Sequence, residues 1–151
     1  MIIAFVVIQA VLILFMALHD WVRAAPLNDI DALAKEDSVM KRLIGSAINT
    51  GWVLVPFIVT LVYFPGPYPE WATGLFLAFY VGLTAGTILS WWIPYFFGSS
   101  PEHKRAFRKF AKTHHCLPPI KDHVVPNTLH ILLHLQVWAC LGISIALRWM
   151  S

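Results

Sequence analysis

Charge is scarce in this sequence. Asp, Glu, Lys and Arg together make up 13% of it, against about a quarter in an average soluble domain. Hydrophobic residues reach 58%, more than a water-soluble chain of this length could bury. Cysteine is almost absent. Cys116 and Cys140 lie far apart, outside any CxxC pair, so a disulfide framework and a thiol redox motif are both excluded. There is no glycine-rich phosphate loop, no paired carboxylate and no Ser or Cys nucleophile placed beside a base. These absences remove nucleotide binding and nucleophilic hydrolysis as ready readings. They leave lipid as the natural solvent.

What is present is organised by apolar runs. The 151 residues fit one domain, 1–151, of the all-α class: an integral membrane four-helix bundle. The expected spans are about 1–19, 43–64, 71–97 and 127–149. The first lacks the basic opening of a signal peptide, so it reads as a retained helix. Pro56 should kink the second. The third ends in Trp91-Trp92-Ile93-Pro94-Tyr95-Phe96-Phe97, an aromatic belt with a proline expected to stop the helix. Asn127 is placed to cap the fourth.

Charge sets the expected topology. Ten of the eleven Lys and Arg fall in two segments, 20–42 and 98–124, and only Arg148 lies elsewhere. Basic loops stay cytoplasmic. Both long loops are therefore expected on the cytoplasmic side, with the termini and the turn Pro65-Gly66-Pro67-Tyr68-Pro69 outside, and the localisation is a bacterial inner membrane. In the first loop, Asn28 or Asp29 can cap a short helix running through Lys35. In the second, residues 103–112 place Phe107, Phe110 and Ala111 on one face among cations, a segment suited to anionic lipid headgroups. No nucleic-acid role is read from it. The run His114-His115-Cys116 looks like metal ligands, but adjacent side chains point apart and the surrounding prolines mark a connector.

One constellation carries polar chemistry into the apolar runs. Asn127, His130 and His134 recur at spacings of three and four, hence on one helix face. His130 and His134 lie one and two turns into the span, and ionisable groups at that depth face protein or a water-filled cavity. His19-Asp20, at the exit of the first span, shares their side of the membrane. Asn49 and Thr50 in the second span and Trp91, Trp92 and Tyr95 in the third are at similar depth. Three readings stay open. The first is a structural polar cluster. The second is a divalent metal bound by His19, Asp20, His130 and His134, or a haem with His19, His130 or His134 as axial ligands. The third is acid–base, quinone or lipid chemistry at a titrating histidine. The zincin motif fails, because no glutamate stands between His130 and His134.

A separate signal is the stripe Gly74, Ala78, Gly82, Gly86 and Ser90, small residues each four apart. It is expected to be a packing seam, within the chain or against a second copy or partner subunit. A chain whose only role is assembly through that seam is the alternative to one with a site.

The blocks Leu18-His19-Asp20-Trp21, Pro26-Leu27-Asn28-Asp29, Trp91 to Gly98, Thr113-His114 and Pro126-Asn127-Thr128-Leu129-His130 together resemble a group of small, uncharacterised bacterial four-span membrane proteins. The resemblance covers most of the chain. It implies the architecture and the inner-membrane location, and no activity. The length also matches microsomal glutathione transferases, but residues 43–64 lack the Arg- and Glu-bearing motif of their second helix.

Overall fold

A computed structural model describes residues 1–150, all helix and connecting loop with no strand among them. Six helices follow in order: α1 (Ile2–Leu18), α2 (Ile30–Glu36), α3 (Val39–Val62), α4 (Glu70–Phe97), α5 (Pro101–Phe107) and α6 (Thr128–Met150). Helices α3, α4 and α6 are each long and apolar enough to cross a membrane. Helix α1 is apolar but has 17 residues, or about 25 Å, at the lower limit for a span.

Local chemistry sets the ends. Ser38 Oγ accepts from the Lys41 amide and starts α3 one turn before the apolar run. Lys41 and Arg42 are thus inside α3, not ahead of it. Asp29 caps α2 by accepting from Ala32. Ser100 caps α5, with Pro101 at the first helical position, where its missing N–H costs nothing. Pro56 does not end α3, which continues through it to Val62. Pro94 does not end α4 either. The helix reaches Phe97 and stops at Gly98, whose φ of +88° suits glycine.

Helices α1, α3, α4 and α6 pack into a bundle. Their buried positions repeat at alternating steps of three and four: Phe5, Gln9 and Leu12 on α1; Leu133, Val137, Cys140, Ser144 and Leu147 on α6. That period keeps one seam facing inward along each helix. Helix α6 lies between α4 and α1, and α1 also packs on α3. In the core Phe5 meets Phe76 and Tyr80 edge to face, with centroids 5.3 and 6.0 Å apart. Gln9 Nε2 donates to the Tyr80 hydroxyl at 3.0 Å, both side chains fully buried. Such interhelical bonds are worth about 0.6–2 kcal/mol in a membrane, and this one fixes the register of α1 against α4.

Much of the outer surface of the bundle is apolar too. Ile3, Ile48, Trp52, Val62, Leu89 and Phe97 are among many large apolar side chains left exposed. A patch of that extent in water would aggregate. The two ends of the bundle differ. At one, Ile2 lies against the Pro65–Tyr68 turn and near Leu147 and Met150, and Arg148 pairs with Glu70 at 2.7 Å. At the other end both long loops meet.

The stripe Gly74, Ala78, Gly82, Gly86, Ser90 is not a seam inside the chain. Helix α4 packs through Ala72, Thr73, Phe76 and Tyr80. Ala78, Gly82, Gly86 and Ser90 are exposed. A Cβ added at Gly74, Gly82 or Gly86 would meet nothing within 4 Å.

Candidate functional site

The loop end of the bundle holds a layer of histidine and aromatic rings. Asn127 is its hinge, fully buried just ahead of α6. Its Oδ1 accepts from the His130 backbone amide at 2.9 Å and from His130 Nδ1 at 2.6 Å. Its Nδ2 donates to Thr113 Oγ1 at 3.0 Å, and Thr113 donates to the Phe110 carbonyl at 2.7 Å. Because a side-chain carbonyl only accepts, His130 Nδ1 must carry a proton. In the neutral ring Nε2 is then a bare acceptor, and it makes no hydrogen bond with any described residue.

The His130 ring is caged by aromatics. Trp91 lies over it at 4.2 Å between centroids, and Phe110 meets it edge-on at 4.9 Å. Phe107 backs Trp91 at 4.5 Å. Helix α5 is short, passes into a 3-10 turn at Arg108–Phe110, and brings Phe107 and Phe110 onto Trp91.

His134 goes a separate way. Fully buried, it accepts through Nδ1 from the Trp92 indole N–H at 3.2 Å. Two adjacent tryptophans, Trp91 and Trp92, thus serve two histidines a turn apart. A regular α-helix would swing neighbours about 100° apart. Ile88–Trp92 is a π-turn, and both of its indoles lie against histidines of α6. Pro94 has no N–H to give the Ser90 carbonyl, and His103 Nε2 lies 3.1 Å from that oxygen.

His19 and Asp20 close the layer from α1. The His19 ring is edge-on to His130 with centroids 6.4 Å apart, and stacked on Phe15. Its Nδ1 is 3.0 Å from the Phe15 carbonyl and its Nε2 is 3.3 Å from Asp20 Oδ1. Both nitrogens face acceptors, and a neutral ring can donate to only one of them.

Of the expected residues, His19, Asp20, Asn127 and His130 come together, with His134 directed to Trp92. Asn49 is exposed and forms no part of the layer. Ser46, one turn earlier and buried, takes the inward position and accepts from the Trp21 indole at 2.9 Å. Tyr95 reaches Pro118 in the second loop. Among the described residues no three His, Cys, Asp or Glu side chains converge as a metal-holding group.

Residues not foreseen from the sequence tie the layer down. Asn28 Nδ2 donates to the His19 and Val22 carbonyls while its Oδ1 accepts from Ala24. Asp37, on the first loop, accepts from Lys41 and, at 2.5 Å, from Lys109 on the second. The His114 amide donates to the Pro26 carbonyl, and its carbonyl accepts from Thr128 at the start of α6. The one available signal was the concentration of polar and charged residues in the two long loops. It does not say which residue pairs with which.

No protein-family model, curated protein or solved structure matches the chain. Any functional reading therefore rests on the geometry above.

Proposed function

We propose that this chain is a four-span protein of a bacterial inner membrane, of the small four-span type its sequence resembles. Both long loops are cytoplasmic, and the histidine layer is a proton-exchanging binding site. His130 is the working group. Asn127 fixes its tautomer and orientation, the task an orienting carbonyl performs for a general base. That leaves Nε2 as the atom that takes a proton from a bound ligand or returns it. His19 and Asp20, nearer the loop end, are the relay toward the cytoplasm. The cage of Trp91, Phe107 and Phe110 favours a flat, largely apolar ligand with one acidic or hydrogen-bonding group.

The observation that carries this reading is the double acceptance by Asn127 Oδ1, from the His130 amide and from its ring. Nitrogen-15 NMR of histidine-labelled protein in nanodiscs tests it. At neutral pH His130 should appear as the single Nδ1–H tautomer with an unprotonated Nε2. Asn127→Leu should return it to a mixture while the other six histidines keep their signals. An Nε2–H tautomer for His130 in the unaltered protein would reject the proposal.

A second reading rests on the open space beside Gly74, Gly82 and Gly86. Small residues on an outward helix face let another helix approach closely. Under this reading the chain assembles with a second copy through α4. Gly82→Leu should then lower the oligomeric mass in detergent, while an unchanged mass would leave the stripe facing lipid.

A further inference from the structure

Beyond the histidine layer, the second loop lines an open cavity of about 670 Å³, within the range of small-molecule sites. Helix α5 and its 3-10 turn form one side, and the segment from His115 to Val125 forms the other. Phe107, Phe110, Leu117, Pro119, Val124 and Val125 make an apolar lining. Lys104, Arg105 and Arg108 stand at its mouth.

The charge balance there is one-sided. The one carboxylate in the lining, Asp122, accepts from Lys104 Nζ at 2.5 Å. Arg105 and Arg108, three apart on one helical face, form no ion pair with any described residue. His123 donates through Nδ1 to the Tyr95 carbonyl, and both nitrogens of His115 face backbone carbonyls. Protonation of either imidazole would only add positive charge. An apolar lining below two unpaired guanidinium groups matches a molecule with an acidic head and a hydrocarbon tail.

We infer that this cavity holds one anionic phospholipid. Its phosphate lies between Arg105 and Arg108, and part of an acyl chain lies against Phe107, Phe110 and the Val124–Val125 wall. Guanidinium groups bind phosphate oxygens in pairs through fixed N–H donors. The source is the adjoining leaflet. Only Gly98, Ser99 and Ser100 separate α5 from α4, whose last residues Phe96 and Phe97 are exposed, as interfacial aromatics are. This placement rests on the membrane reading but not on the chemistry of His130.

Native mass spectrometry of the full chain in detergent tests it, with dioctanoyl phosphatidylglycerol, dioctanoyl phosphatidylcholine and inorganic phosphate as separate probes. One phosphatidylglycerol should be retained per chain, phosphatidylcholine much less, and phosphate not at all. Arg105→Gln with Arg108→Gln should weaken retention about tenfold or more. Ala111→Trp, which fills the cavity and leaves every charge in place, should do the same, with circular dichroism confirming the fold of both variants. Four results would each overturn the assignment: no retention of phosphatidylglycerol, equal retention of phosphatidylcholine, retention of phosphate as strong as that of the lipid, or an Ala111→Trp protein that still holds the lipid.

Discussion

Asp37 shows how single residues hold the layer in place. Burial by itself would raise its carboxyl, but hydrogen bonds from Lys109 and Lys41 outweigh that and hold it below its ordinary value of 3.8. The folded form therefore ionises more readily than the unfolded chain. The stabilisation is fully present above about pH 3.8 and is lost as pH falls through the lower folded value. The Lys109 bond, between a carboxylate 8% exposed and an amine 21% exposed, carries most of it, and the exposed Lys41 adds little. Asp37→Asn should cost about 1.5–3 kcal/mol at neutral pH. It should lower the thermal midpoint in detergent, and the gap from the unaltered protein should close in acid. A gap independent of pH would mean that Asp37 acts through packing instead. At this scale the sequence was partly legible. Asn127 and His130 could be paired because a cap and a residue three later meet by helix geometry alone. Asn49 and Ser46 could not be ranked, because the rotation of α3 about its axis is tied to Trp21 on the first loop, which bonds Ser46 and lies under the Arg42 guanidinium of α3 itself.

Among the elements, the long helices were legible and their irregularities were not. Runs of apolar residues announce a helix of the right length, and the alternating three–four spacing marks its inner face. Pro94 was the weak point. It remains inside its helix, as Pro56 was expected to in α3, and the Ser90 carbonyl it frees lies 3.1 Å from His103 Nε2. The π-turn at Ile88–Trp92 leaves no mark in composition, yet it carries both Trp91, which covers His130, and Trp92, which bonds His134. The small-residue stripe was visible as a pattern, but a pattern does not say what it faces. Within the chain, α4 uses the opposite side, where Phe76 and Tyr80 fill the core. The basic segment of the second loop was read as a surface helix. Its shortness and the turn after it fold the two phenylalanines inward, and they wall both the His130 cage and the phospholipid cavity.

For the whole molecule, the distribution of charge and the apolar exterior agree. Both basic loops meet at one end of the bundle, and Arg148, the exception in the charge count, is paired with Glu70 at the other. The proposed site depends on that polarity, since a proton relay through His19 and Asp20 must open toward the cytoplasm. The two cysteines report on it directly, Cys116 exposed in the second loop and Cys140 buried in α6. Labelling with a membrane-impermeant maleimide, in vesicles of each orientation, is the decisive measurement. Cys116 should react in inside-out vesicles and be protected in right-side-out ones, with Cys140 silent in both. Reaction of Cys116 in right-side-out vesicles would put the histidine layer on the opposite face and contradict the account.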